Sequence, residues 1–262
     1  MKGIFDKGSG PAVVVVQPLQ GRWQWMQRFL DALAERCRVI TYTLCGDFGS
    51  DRSADLSLGF DAYVGQLKDV IDRAGLERTA LCGISFGGTV AVRYASLYPD
   101  RVTHLIIASS PGPGWRANAE QARYISRPLV TLPVFLLMAL RRLSVELSAA
   151  FPRVIERAAF VSRATVAAIR YPALPHLMAR RVRLMQTVDL AADCQRITAP
   201  TLVVTGDPLL DLVVPVESTR QYLTHIHDSR YEVLARTGHS GSLTQPERLA
   251  SLVDGFIHAH HS

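Results

Sequence analysis

Lysine is scarce in this chain of 262 residues: it occurs only at positions 2, 7 and 68, so the positive charge is almost all arginine. Long apolar runs are missing too. The longest, Leu129 to Leu140, is only about twelve residues and contains Pro133, where a membrane span needs about twenty. The valines at 13–16 are followed at once by a glutamine and a proline, which is not the pattern of a secretory leader. The cysteines, Cys37, Cys45, Cys82 and Cys194, form no CxxC pair and show no metal-ligand spacing, so free thiols and a cytoplasmic location are expected, with no metal site. No repeat or low-complexity segment is present, and no nucleic-acid motif accompanies the basic balance of +6. The tail cluster His258, His260 and His261 is irregular and carries no ligand spacing.

What is present is an alternation. Ala12–Val16, Arg38–Leu44, Thr79–Cys82, Val102–Ala108, Thr201–Thr205 and Tyr231–Ala235 read as short β-branched strands buried on both faces. Helical periodicity fills the gaps at 22–36, 60–74, 86–98, about 216–224 and 245–258. Thr244-Gln245-Pro246-Glu247 reads as a capping box at the start of the last helix. Strand–helix alternation with buried strands predicts an α/β fold, a mainly parallel sheet flanked by helices. Residues 112–190 break the rhythm with a mostly helical pattern. The expected organisation is therefore a core of 1–111 and 191–262, with 112–190 a helical cap inserted between two strands.

The chemistry gathers around Cys82-Gly83-Ile84-Ser85-Phe86-Gly87-Gly88. G-x-S-x-G between a strand and a helix is a nucleophile elbow: a strained turn that lifts Ser85 to the N-terminus of a helix, where a developing anion is favoured. A serine hydroxyl needs a base. His239, in the loop Arg236-Thr237-Gly238-His239-Ser240-Gly241, is the best placed histidine; His104 lies in a strand, and His176, His225 and His227 sit in or near helices. The base in turn needs a carboxylate to fix its tautomer. Asp207 and Asp211, in TGDPLLDLVVP after the Thr201–Thr205 strand, both qualify, with Asp211 favoured. No carboxylate follows the preceding strand, where Ala108-Ser109-Ser110-Pro111 stands.

With GISFGG, DLVVP and TGHSG, the chain from Val13 to about Phe256 resembles the α/β-hydrolase superfamily, in its lidded branch of bacterial esterases, lactonases and carbon–carbon hydrolases. The resemblance implies Ser85 as nucleophile, His239 as base and Asp211 as acid. It implies no cofactor, and a small-molecule ester-like substrate. The family's usual His-Gly after the first long strand is replaced by Gln17-Pro18-Leu19-Gln20-Gly21. Proline has no N–H, so the oxyanion donors expected are the backbone N–H groups of Phe86 and Leu19. Gln17 is expected to order that loop, and Trp115 to form a pocket wall. The altered loop also keeps open a catalytically weak ligand-binding or sensor protein of the same fold.

The inserted segment holds twelve arginines against Glu120, Glu146, Glu156 and Asp189, a net of +8 where the whole chain carries +6. Such a surface suits an anionic ligand, an acyl-carrier protein or an anionic membrane surface, or consists simply of solvated helix faces. The run Leu129 to Met138 would line an acyl pocket, touch lipid or pack on the core.

Overall fold

The structure is a computed structural model that describes residues 3–50 and 56–259. His260 and His261 lie outside the described residues. In chain order the elements are β1 (Ile4–Lys7), β2 (Ala12–Val16), α1 (Gln27–Leu33), β3 (Arg38–Tyr42), α2 (Asp61–Arg73), β4 (Thr79–Ile84), α3 (Phe86–Leu97) and β5 (Val102–Ala108). Five helices follow: α4 (Ala119–Ser126), α5 (Leu132–Ala150), α6 (Val154–Arg170), α7 (Pro175–Met185) and α8 (Leu190–Cys194). The chain closes with β6 (Thr201–Thr205), α9 (Val216–Arg220), α10 (Tyr222–His225), β7 (Ser229–Val233), α11 (Gly241–Thr244) and α12 (Pro246–His258).

The seven strands form one sheet in the order β1-β3-β2-β4-β5-β6-β7, parallel throughout except for β1, which runs antiparallel on the edge. The period-2 alternation of strand side chains sorts the core into two layers. Val14 and Val16 face α2 and α3, together with Leu81, Phe86, Val90 and Tyr94. Val13 and Val15 face α1 and α12, together with Phe29, Leu30, Val253 and Ile257. All four valines are completely buried, each worth about 1.5–3 kcal/mol of transfer free energy, which is why β2 reads as an unbroken apolar run.

The observed α/β architecture is the expected one, and its differences are local. β1 was not foreseen, because four residues on an antiparallel edge carry too short a pattern. The segment 22–36 is divided into a 3-10 turn at Trp23–Met26 and the shorter α1. β3 ends at Tyr42, and β7 starts two residues earlier than its hydrophobicity suggests. α12 begins at Pro246, with Gln245 making no side-chain cap. Thr244 is not the cap; its hydroxyl is used elsewhere, as described below.

Residues 112–190 lie between the adjacent strands β5 and β6 and supply α4 to α7. A buried ion pair fastens them to the loops that follow β2 and β3. The Arg181 guanidinium, on α7, is fully buried against Asp47, donates from Nη1 to the Leu19 carbonyl at 2.7 Å, and lies 5.8 Å from the Tyr63 ring centroid. Trp25 adds an indole N–H bond of 3.0 Å to the Tyr171 carbonyl. The run Leu129 to Met138 does not pack uniformly on the core. Phe135 stacks on Tyr124 at 4.2 Å, while Leu129, Val130, Val134, Leu136 and Leu137 are each at least half exposed.

Candidate active site

The residues singled out in the sequence converge at the carboxyl ends of the parallel strands, where open α/β sheets present their ligand crevices. Ser85 ends β4 and opens α3. Its φ of +53° and ψ of −118° lie outside the regions ordinary L-residues populate. The turn holds because its neighbours leave no room for anything but glycine. A Cβ on Gly87 would sit inside the Val16 carbonyl, and one on Gly88 would lie 2.5 Å from the Ser110 side chain. The Ser85 N–H is tied to the Ala108 carbonyl at 2.8 Å, and its carbonyl accepts from Gly88 at 2.9 Å. The N–H of Phe86, at the first position of α3, has no helical carbonyl behind it to bond.

His239 stands in the loop between β7 and α11. Its Nε2 is 3.0 Å from Ser85 Oγ, and its Nδ1 is 3.4 Å from Asp211 Oδ2. Asp211 is nearly buried. Its other oxygen accepts the N–H groups of Val213 and Val214 at 3.1 and 3.0 Å, which aims Oδ2 at the imidazole. A proton on Nδ1 then faces the carboxylate, and Nε2 is left to accept the serine proton. Asp207 does not reach the histidine. Its carboxylate caps its own turn by accepting from Leu209 N at 2.9 Å, while its backbone N–H ties the loop to the Thr237 carbonyl at 2.7 Å.

The electrostatics are reciprocal. Burial alone raises the Asp211 pKa, but the charge and hydrogen bond of His239, with the two backbone N–H bonds, outweigh it and hold the acid below its ordinary value. Burial alone lowers the His239 pKa. The Asp211 charge and bond, helped by the charge of Glu146, outweigh that and hold the imidazole above its ordinary value.

Glu146 is the residue packed around the His239 loop that sequence reasoning missed. It comes from α5, in the inserted segment, and is almost completely buried. Its carboxylate accepts from the Thr237 hydroxyl at 2.6 Å, the Ser240 N–H at 3.0 Å and the Thr244 hydroxyl at 3.3 Å. It thereby grips the chain on both sides of His239. Arg236, at a φ of +64°, completes the clasp by donating to the Ala149 and Ala150 carbonyls at the end of α5. Thr244 spends its hydroxyl here. No local pattern marks Glu146, because its partners lie more than ninety positions away.

The loop after β2 turns tightly, with Gly21 N–H bonded to the Pro18 carbonyl at 3.0 Å. Arg181 holds the Leu19 carbonyl. Gln17 is fully buried and gives its side-chain amide to Thr41, toward the sheet interior. Trp115 is half-buried and packs against the α2–α3 side of the core.

A parallel sheet clothed on both faces, with a strained serine, an imidazole and a carboxylate aligned along its carboxyl edge, defines a class of hydrolase scaffold. The model of the alpha/beta hydrolase family matches residues 12–252, and the chain belongs to that family of hydrolases. Among curated relatives, the pimeloyl-[acyl-carrier protein] methyl ester esterase of Nitrosomonas europaea is 25% identical over 260 residues, spanning 96% of this chain and 97% of its own. The 2-hydroxymuconate semialdehyde hydrolase of a Pseudomonas species is 33% identical over 105 residues, 40% of this chain and 35% of its own. Among solved structures, the thermophilic esterase of Thermogutta terrifontis superposes with a TM-score of 0.79 at 21% identity, covering 100% of this chain and 94% of that one.

Proposed function

We propose that this hydrolase cleaves a carboxylic ester, thioester or lactone through an acyl-enzyme on Ser85, with residues 112–190 acting as a cap. The observation that carries the reading is the 3.0 Å contact of His239 Nε2 with Ser85 Oγ on a strained turn. In this mechanism Ser85 Oγ attacks the substrate carbonyl carbon while its proton passes to His239 Nε2. The N–H groups of Phe86 and Leu19 take the oxyanion of the tetrahedral intermediate. Collapse expels the alcohol or thiol, which takes the proton back from His239. Water then attacks the acyl carbon, giving its proton to the same nitrogen, and the second collapse frees the acid and restores Ser85. Asp211 stabilises the imidazolium at both stages. Nothing in the cycle calls for a metal or cofactor, since nucleophile, base and oxyanion donors are all groups of the chain.

Arg181 answers the question raised by Pro18. Its bond to the Leu19 carbonyl restrains the Leu19–Gln20 peptide, and the Gly21 N–H bond to the Pro18 carbonyl restrains the Pro18–Leu19 peptide that carries the proposed donor, which supports an ordered loop without the usual His-Gly pair. A second reading, hydrolysis of a carbon–carbon bond in a diketone, is supported by the 33% identity with 2-hydroxymuconate semialdehyde hydrolase. The two readings part on substrates. A panel of p-nitrophenyl esters and thioesters of increasing chain length, run beside a vinylogous 1,5-diketone, is expected to show turnover of the esters that Ser85→Ala and His239→Ala both abolish. Turnover of the diketone alone would reverse the order. No turnover of either class, with substrates still bound, would favour the sensor.

A further inference from the structure

Two successive helices of the inserted segment, α5 and α6, carry apolar side chains that no described part of the protein covers. α5 turns Glu146, Leu147 and Ala150 inward, and α6 turns Phe160 inward. On the outer side α5 presents Val134, Leu137 and Leu140, each at least 60% exposed. α6 presents Ile155 and Ile169, both 75% exposed, with Val166 between them at 53%. The α6 positions are eleven and fourteen residues beyond the first, so they recur on one face of the helix, opposite Phe160. Largely exposed isoleucines at helical spacing on α6, directly following the exposed valine and leucines of α5 in the chain, differ from the singly scattered apolar residues of an ordinary exterior.

The charge around this face is one-sided. Between 127 and 170 there are seven arginines and two glutamates, a net of +5, and one of those glutamates is the buried Glu146. Among the described residues Arg127, Arg141, Arg163 and Arg170 form no ion pair. At the turn between α5 and α6 a cleft of about 650 Å³ is lined by Arg28, Arg153, Arg163 and Arg236 with a single carboxylate, Glu156. Its charged rim lies beside the exposed Ile155.

We propose that α5 and α6 seat the protein on the surface of an anionic lipid bilayer, their outward apolar side chains entering the interface and their guanidiniums taking headgroup phosphates. Each half of the surface fits that occupant. Guanidinium groups bind phosphate oxygens in pairs, and a helix with an apolar stripe bordered by arginine lies in the interfacial plane. The attachment is peripheral, since no helix among the described residues is long and apolar enough to cross a membrane. A second copy is disfavoured, because two faces of the same positive sign repel. A soluble acidic protein such as an acyl-carrier protein satisfies the arginines but leaves the isoleucines bare.

The test reads binding and is independent of catalysis. The full chain is sedimented with vesicles of phosphatidylcholine containing phosphatidylglycerol and with vesicles of phosphatidylcholine alone, at low and high salt. The expected result is binding to the anionic vesicles that salt weakens. Ile155→Ser/Ile169→Ser is expected to weaken it by at least about tenfold per isoleucine, and Arg163→Gln/Arg170→Gln by about fivefold per arginine. These residues are exposed, so thermal unfolding of both variants is expected to match the parent. Failure to sediment with anionic vesicles would overturn the proposal, as would binding indifferent to the serine substitutions. So would a dimer in solution that the serines dissolve, or an acidic acyl-carrier protein that binds the face while vesicles do not.

Discussion

Glu146→Gln isolates one charge at the proposed site. The substitution keeps the side chain's shape and one carbonyl oxygen, so the Thr237, Ser240 and Thr244 donors lose a charged acceptor without a cavity forming. Hydrogen bonds to charged groups are worth about 1.5–3 kcal/mol each against about 0.5–1.5 for neutral ones. A loss of about 1–3 kcal/mol of stability follows, or a fall in Tm of about 2–10 °C. The more telling effect is on His239. Desolvation of the partly buried imidazole is opposed by Asp211 and by Glu146, which together raise its pKa. Removing the Glu146 charge lowers it again. A base must be neutral, so wild-type activity falls as pH drops through the raised imidazole pKa, and in the variant that acid limb moves to lower pH. Slackened loop geometry should also cost about 10- to 100-fold at the plateau. The assay is the pH dependence of p-nitrophenyl ester hydrolysis, with Tm measured alongside. An unchanged acid limb and plateau, even with a lowered Tm, would reduce Glu146 to a purely structural part.

Asp211→Asn should lower kcat by about 10⁴-fold by presenting the wrong tautomer of His239, whereas Asp207→Asn, which touches only its own turn, should change it little. Arg181→Met leaves Asp47 buried without its counter-charge and should cost about 3–5 kcal/mol in denaturant unfolding, with Arg181→Met/Asp47→Leu recovering most of it. Gly88→Ala drives a methyl group against Ser110 and should destabilise by about 1–3 kcal/mol, read from the same unfolding curves. All four cysteines are buried, and burial pushes the Cys37 thiol up to about 11 and those of Cys82 and Cys194 up to about 12. Native protein should therefore resist a thiol reagent such as DTNB at neutral pH and react fully only when unfolded.

The parts of the fold legible in the sequence are those written in local chemistry. Val13 to Val16 had to be a doubly buried strand, and GISFGG had to be a tight strand-to-helix turn, because only glycine fits beside Val16 and Ser110. Asp211 and His239 were legible as loop residues at the ends of β6 and β7. What stayed hidden depends on distant partners. Glu146 and Arg181 look like any other charged residues of a helical segment until tertiary packing brings them to Thr237 and Asp47. Thr244 misled for the same reason, since its hydroxyl, expected to cap a helix, belongs to the Glu146 cluster. The helical pattern of 112–190 was readable, but which apolar side chains it buries was not. Periodicity shows that a helix has an apolar face; it does not show what lies against that face.

The central claim is that Ser85 is a nucleophile activated by His239. Its most direct measurement is mass-spectrometric mapping of the adduct left by a fluorophosphonate probe on the native protein and on His239→Ala. A single rapid adduct on Ser85, lost in the variant, is the expected result. A folded protein that stays unmodified, or that reacts at Ser85 equally fast without the imidazole, would contradict it.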